Sequence, residues 1–439
     1  MNRIILIGNG FDLAHGLPTS YAQFIDKLWE NIVIKISEEA EFDDELFSFK
    51  IKPENQNQPI HPNQVVERKL FNNMPQKNYQ NLKDRIDLIN DRYKGYFTIE
   101  LQYNNLLFKH LTTNCIGEKN WVDIEEEYYK FLTHEFNTGK HTGYDYKDTK
   151  TLNRDFESLK QKLNDYLIDI PKNHEVRPSE KMFSMIFRPI LLKEFTDIGK
   201  ESIANDEYWK VVREKNGGSD GRHDEMSRKT APLLKNYINF DGQELKKVIL
   251  CDIQKENRAE QYFDLKVKDL LFLNFNYTDT EKYYTSGLNI NTIHIHGEVN
   301  NLNNPIIFGY GDELEENYSK LENLQDNDYL ENIKSIQYLE TDNYKKMLSF
   351  IDSDKYQVII LGHSCGNSDR TLLNTLFEHK NCVSIKPYYY QYKDQQTGEI
   401  KDNYSDIVRN ISRSFTNKKS MRDKVVNKKY TDWFSSNID

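Results

Sequence analysis

Cysteine is scarce and scattered in this chain. Its four cysteines, Cys115, Cys251, Cys365 and Cys382, lie far apart in 439 residues and form no C-x-x-C pair. That spacing excludes both a disulfide framework and an all-cysteine zinc site, and it fits a reducing cytoplasm best. Long apolar runs are missing too. The opening run Ile4-Ile5-Leu6-Ile7 is short, and no later stretch approaches the roughly 20 apolar residues that span a bilayer. Neither a signal peptide nor a membrane anchor is expected, and the product should be soluble with no membrane partner. Positive charge is in deficit as well, with 59 Lys and Arg against 69 Asp and Glu and a net charge of -10. A chain of that sign is not built to wrap nucleic acid, although a local basic patch remains compatible with it. Aromatic residues, by contrast, are abundant: 28 Tyr and 23 Phe are too much adhesive surface for a disordered chain. At roughly 150 residues per domain, the length predicts two or three globular domains.

The N-terminus reads as strand, glycine loop and helix. Ile4 to Ile7 is an apolar, β-branched run that stops at Gly8 and Gly10, as a buried parallel strand does before a tight turn. After Pro18, apolar residues at 21, 24, 25, 28 and 29 follow the spacing of an amphipathic helix capped by Thr19 or Ser20. From about 30 to 265 the character is polar with helical periodicity, including a helix from Trp121 to Leu132. The Asn/Gln/Lys-rich stretch around 50 to 85 and Gly217 to Gly221 read as flexible loops. Strands return at 270–277, 292–297, 306–309 and 357–362. The expected architecture is α/β: a Rossmann-like open, mostly parallel sheet built from 1–29 and 266–439, with a mostly helical insertion domain at 30–265. In such a sheet ligands sit outside the carboxyl ends of the strands. Residues 8–12, 274–278, 296–297 and 362–369 should therefore meet at one cleft.

Each motif there has a functional and a plain reading. Gly8-x-Gly10 after a buried strand suits a loop whose N–H groups receive a phosphate, and it equally suits a tight turn that needs glycine. Asn276 and His296 end successive strands. An amide that orders a water or a ribose hydroxyl, beside an imidazole that takes its proton, suits chemistry on a sugar; a capped strand end is the plain alternative. His294 and His296 share a strand face by the period of two, but spacing supplies no third ligand and no metal is expected. Gly362-His363-Ser364-Cys365-Gly366 matches the G-x-S-x-G nucleophile elbow. The only later histidine, His379, is too close in the chain to complete a triad. Asp369 reads as the cap of the helix that follows. On the helix from Trp121, Glu125 or Asp123 could reach a cleft, with solvent-facing carboxylates as the default. Between Arg409 and Lys429 a basic run is interleaved with Ile407, Ile411, Phe415, Val425 and Val426. That pattern predicts a helix packing one side on the body, with nucleic-acid contact as the lesser alternative.

The order of these blocks closely resembles the AbiH family of bacterial abortive phage-infection proteins. The blocks are Ile5-Leu6-Ile7-Gly8-Asn9-Gly10-Phe11-Asp12-Leu13-Ala14-His15-Gly16-Leu17-Pro18-Thr19, Asn274-Phe275-Asn276-Tyr277-Thr278, His294-Ile295-His296-Gly297 and Gly362-His363-Ser364-x-Gly366-x-x-Asp369. They also resemble a divergent sirtuin-like nucleotide fold, with its G-A-G-x-S-x-x-x-G-I-P loop, T-x-N-x-D strand end, H-G strand end and late G-x-S strand end. That resemblance implies NAD as substrate or ligand and assigns Gly8, Gly10, Gly16 and Pro18 to its loop. It makes Asn276 a catalytic or ribose-binding residue, His296 the catalytic base and Ser364 a late-strand contact. Asn9, Phe11, Asp12, Asn274, Thr278, Gly297, Gly362 and Asp369 complete the expected binding set. The sequence departs from the sirtuin pattern where Asp12 replaces Ser, where Thr278 replaces the Asp of N-x-D, and in lacking the zinc-binding cysteine pairs.

Three functions stay open on these residues. The first is NAD cleavage at the nicotinamide-ribose bond in phage defence, with a phage-encoded trigger and self-assembly as compatible partners. The second is a non-catalytic module that binds NAD or ADP-ribose. The third is a metal-dependent nuclease using His294, His296 and Asp12, with the basic segment from Arg409 to Lys429 as its nucleic-acid contact.

Overall fold

A computed structural model of the chain describes residues 1–39, 41–54, 79–115, 123–134, 146–174, 176–215, 236–255, 263, 266–285, 287, 290–311, 313–394 and 397–437. The strands among them are β1 (Asn2–Ile7), β2 (Glu41–Asp43), β3 (Phe47–Pro53), β4 (Phe97–Tyr103), β5 (Leu270–Asn274), β6 (Asn291–His294), β7 (Tyr356–Leu361), β8 (Cys382–Pro387), β9 (Tyr389–Lys393), β10 (Ile400–Asp402) and β11 (Trp433–Asn437). The chain divides into two compact units. One comprises Met1–His15, Val176–His296 and Thr341–Asp439, the other Gly16–Glu175 and Gly297–Glu340.

The first unit is built on a five-stranded sheet in the order β6-β5-β1-β7-β8, parallel throughout. Counting these strands in the order the chain visits them, the arrangement is 3-2-1-4-5, that of a doubly wound α/β sheet. The expected α/β class is therefore found. Both faces of β1 are covered, which is why it reads as an unbroken apolar run. Ile5, Ile7, Phe272, Ile359 and Leu361 pack with Met182, Met185 and Ile186 of the helix Glu180–Phe187, and Ile4, Leu6, Val358 and Ile360 between them are equally buried. Burying each such side chain contributes about 1.5–3 kcal/mol. Buried Arg3 ties the helix to the sheet by donating to the carbonyls of Ile186 and Arg188 and to Gln357 Oε1, at 3.0, 2.5 and 3.0 Å. A second sheet of this unit, β10-β9-β11, is formed between Tyr389 and Asn437.

The second unit opens with the helix Tyr21–Glu38, where Ser20 and Gln23 form a capping box. This helix buries Trp29 against Phe47, Tyr103 and Phe108. The antiparallel sheet β2-β3-β4 lies inside the region expected to be mostly helical. Its signal is period-two alternation, Phe47-x-Phe49-x-Ile51 and Phe97-x-Ile99-x-Leu101-x-Tyr103. The expected strand at 306–309 is absent; only an isolated bridge joins Tyr310 to Ile333. The helix begins at Ile124, capped by Asp123, whose carboxylate accepts from Glu126 N at 3.0 Å. Glu125 is not solvent-facing: it is 5% exposed, pairs with Lys334 at 2.9 Å and accepts the Gly309 N–H at 3.0 Å. Its expected starting residue, Trp121, and the loop Gly217 to Gly221 lie outside the described residues, as does most of the 50 to 85 loop.

The two units cut the chain differently from the expected division at 29 and 265. The helices Glu180–Phe187, Asp197–Lys215 and Gly242–Gln254 belong to the sheet unit, and Leu192, Phe195, Ile203, Val211, Leu245 and Ile249 share one core. Residues 297–340 group with the second unit instead.

Two glycines with the same left-handed φ of 78° separate space from strain. A Cβ at Gly16 would meet nothing within 4 Å, whereas one at Gly362 would lie 2.1 Å from Phe11 N. Gly16→Ala is expected to cost about 1 kcal/mol of unfolding free energy. Gly362→Ala should cost about 3 kcal/mol or more, because backbone has to move. Chemical denaturation of the two variants checks the difference.

Candidate functional site

Register brings the expected blocks to one sheet edge. Ile7 is level with both Asn274 and Leu361, and Asn274 is level with His294. The residues that follow therefore leave the sheet together: Gly8 from β1, Asn276 from β5, His296 from β6 and His363 from β7. The strand order reverses between β1 and β7, the usual place for a ligand crevice in such sheets. Here that place is occupied by the protein's own backbone. Gly8 N donates to Leu361 O at 3.3 Å, Gly10 N to Gly362 O at 2.8 Å and Phe11 N to Gly8 O at 2.8 Å. A Cβ on Gly8 would lie 2.5 Å from His363 Cα, and one on Gly10 would lie 2.8 Å from Gly362 O. These two glycines serve close packing, and their N–H groups are spent on carbonyls instead of facing a phosphate. Asn9 and Phe11 fall within the short helix Asn9–Ala14, and Phe11 is fully buried.

Asp12, on the same helix, points into the interior and is 1% exposed. Its carboxylate accepts the hydroxyl of Thr278. The two departures from the sirtuin pattern thus answer one another, since a carboxylate on the first loop meets a hydroxyl on the second block where the pattern has hydroxyl first and carboxylate second. Burial pushes the Asp12 carboxyl up to about 6, with the nearby Glu281 charge acting in the same direction and Thr278, Thr280 and Asn276 opposing it.

Asn274 and Asn276 divide the work of the turn after β5. Asn274 donates to Thr278 O at 3.0 Å and Glu281 Oε2 at 2.7 Å, and its Oδ1 accepts Asn276 N at 2.8 Å. Its side chain holds the turn, whichever group the strand end receives. Asn276 Nδ2 donates to Gly8 O at 3.1 Å, so β5 and β1 are tied at their ends. His294 faces Glu281 at 2.9 Å, a buried carboxylate that sequence reasoning missed.

His296 is 4% exposed, with its Nε2 3.2 Å from Asp369 Oδ1. His363, another residue the sequence reading left unassigned, has its Nε2 3.4 Å from Asp369 Oδ2. The Phe275 ring lies against both imidazoles, at 5.0 and 4.3 Å between centroids. Asp369 does occupy the cap position of the helix Arg370–Glu378, but it makes no side-chain cap bond. Its carboxylate faces the two histidines instead. His294 and His296 thus have different acidic partners, because β6 stops at His294 and the shared-face periodicity ends with it. The set that the nuclease alternative would need, His294 and His296 with a carboxylate such as Asp12, finds no support: among the described residues no three His, Cys, Asp or Glu are placed to hold a metal ion.

The remaining expected residues lie elsewhere. Ser364 is exposed, and its carbonyl accepts Asn410 Nδ2 at 2.8 Å; His379 pairs with Asp352 at 3.3 Å, so no triad follows the G-x-S-x-G match. Gly16, Pro18 and Gly297 belong to the second unit. There the Pro18 carbonyl accepts Tyr166 OH at 2.6 Å, and a Cβ at Gly297 would lie 2.0 Å from Pro305 O, so close backbone approach requires glycine at Gly297. His15, which carried no assigned role, bonds Phe11 O and Tyr284 OH, each at 2.7 Å, and locks the end of the first helix. The basic run is not one helix but two, Tyr404–Arg413 and Lys418–Lys424, and Ile407, Ile411, Phe415 and Val426 are buried, the last two outside both helices. Lys424 donates to the carbonyls of Phe377 and His379 at 2.9 and 3.1 Å. No helix of the described residues is long and apolar enough to cross a membrane.

A family model described as bacteriophage abortive infection AbiH matches residues 4–392, and the chain belongs to that family. No curated protein and no solved structure matches it.

Asp12 makes the stability of the first unit depend on pH. Its folded value, about 6, lies above the ordinary 3.8, so between these values the native state holds the extra proton and stability falls as pH rises. Asn can keep the bond from Thr278 without the charge. Between pH 4 and pH 7 the Asp12→Asn variant should gain about 2–3 kcal/mol on wild type. Urea denaturation across that range checks this, and parallel stability profiles would remove Asp12 as the cause.

Proposed function

We propose that this AbiH-family protein acts in abortive infection by cleaving NAD at the nicotinamide-ribose bond, at the strand-end cluster of its parallel sheet. Water is consumed; nicotinamide leaves with the electron pair of the broken C–N bond, the water oxygen bonds to the ribose carbon, and one proton is released with ADP-ribose. His296 takes that proton from the water or from a ribose hydroxyl. Asn276 holds the water or the ribose from the neighbouring strand. The observation that carries this reading is the level ending of β1, β5 and β6, which sets an amide and a carboxylate-paired imidazole at one edge. Burial of both side chains favours a reaction through a cationic sugar, because fixed dipoles act more strongly where bulk water is excluded.

The residues fit the ribose end of NAD better than its pyrophosphate. The first-loop N–H groups are committed to carbonyls, so the pyrophosphate is held by groups other than the Gly8 and Gly10 amides. Membership of the family supports the defence role, in which falling NAD arrests the infected cell. A cell that carries such an enzyme survives only if the activity is restrained, so a phage-encoded trigger is part of the proposal.

A well-placed base contributes about 10²–10⁴-fold. His296→Ala should lower nicotinamide release by that factor while the protein stays folded, and Asn276→Ala should lower it too. Chelation should have no effect. Protection of infected cells whose NAD is untouched would overturn the proposal, and binding of ADP-ribose without nicotinamide release would make the site a nucleotide-binding module.

A further inference from the structure

Proton placement around Asp369 follows from its neighbours. The backbone N–H of Cys365 donates to His363 Nδ1 at 2.9 Å. An imidazole nitrogen that accepts carries no proton, so in the neutral ring of His363 the proton is on Nε2, the atom that faces Asp369 Oδ2 at 3.4 Å. The other carboxylate oxygen faces His296 Nε2 at 3.2 Å. A carboxylate only accepts when ionised, so a neutral His296 also carries its proton on Nε2, and Nδ1 is its lone-pair nitrogen. The turn that aims the Cys365 N–H is held in an unusual conformation: Cys365 has φ 56°, a left-handed backbone that costs about 1 kcal/mol or more outside glycine. Its thiol is buried and pushed well above its ordinary range by desolvation, so it takes no part as a nucleophile.

We infer that Asp369 and His363 are positioning residues for His296: Asp369 fixes which nitrogen of the His296 ring carries the proton, and His363, oriented by the Cys365 backbone, fixes Asp369. Asp369 is then not a ligand contact, and the short segment from Gly362 to Asp369 acts as the orienting arm of the His296 side chain. The Phe275 ring packs against both imidazoles, and the Asp369 carboxylate is their shared acidic neighbour. This assignment rests on reading His296 as the base, but its test reads the ring directly and needs no turnover.

The experiment is ¹⁵N NMR of the full-length protein labelled at histidine, titrated as wild type, Asp369→Asn, His363→Phe and His363→Gln. In wild type both rings should show the Nε2–H form when neutral. Asp369→Asn removes the negative charge that favours the imidazolium and should lower the midpoint of the His296 titration. His363→Phe removes one donor from Asp369, so its charge acts more strongly on His296 and should raise that midpoint. His363→Gln restores a donor and should bring it back towards wild type, a rescue that a packing role would not give. In the same variants, Asp369→Asn should lower kcat about tenfold or more with KM unchanged. A folded Asp369→Asn protein with the wild-type His296 midpoint and proton position would overturn the inference. Midpoints that move as expected in a protein that never releases nicotinamide would leave the positioning intact and sink the NAD reading instead.

Discussion

Contact between two backbone turns, Gly8 to Phe11 after β1 and Gly362–His363 after β7, governs the geometry of everything at the carboxyl edge of the sheet. The Gly10 N–H bonds the Gly362 carbonyl, and no side chain larger than hydrogen fits at Gly8, Gly10 or Gly362. Because the turns touch, the helix Asn9–Ala14 begins immediately beyond the strand and directs Asp12 inward. The same contact places the His363 ring beside the first loop. A wider gap there would leave room for a ligand between the turns, but it would lose the fixed distance across which Asp369 reaches both histidines.

Two buried carboxylates at this edge behave differently for one reason, the kind of group each meets. Asp12 meets hydroxyls and an amide, and the nearby charge of Glu281 is another carboxylate, so desolvation dominates and its proton is retained towards pH 6. Asp369 meets two imidazoles, which can supply protons or positive charge. The first carboxylate acts as an interior tie between β1 and the turn after β5, whereas the second can organise titrating side chains. Glu281 is a third example, closing on Asn274 and His294 and so stiffening the turn from which Asn276 projects. Within the first unit these polar side chains are buried and mostly hydrogen-bonded to one another, and such networks favour a single geometry.

Much of this architecture is legible in the chain alone. The apolar runs at β1, β5 and β7 announce buried parallel strands, and glycines or polar residues at their ends mark where a site should form. The family resemblance rests on those same blocks, which span nearly all of the chain that the AbiH family matches. Short-range signals also worked for the amphipathic C-terminal segment and for the cap before the helix Tyr21–Glu38. Alternation at Phe47–Ile51 and Phe97–Tyr103 was equally visible, but it lay within a polar, helix-like stretch whose overall character masked it.

Pairings across long separations were not legible. The sequence by itself determined the class of fold, the family, and that Asn276 and His296 close neighbouring strands, because period and punctuation are local properties. Only the tertiary structure decided that Asp12 bonds Thr278, that Asp369 turns from a helix cap to two histidines, and that Glu125 is buried with Lys334. It also decided that the helices Glu180–Phe187, Asp197–Lys215 and Gly242–Gln254 belong to the sheet unit and that Gly297–Glu340 belongs to the other. Each of these depends on which buried polar group finds which partner. A residue's own neighbours in the chain say that it must be satisfied but not by whom.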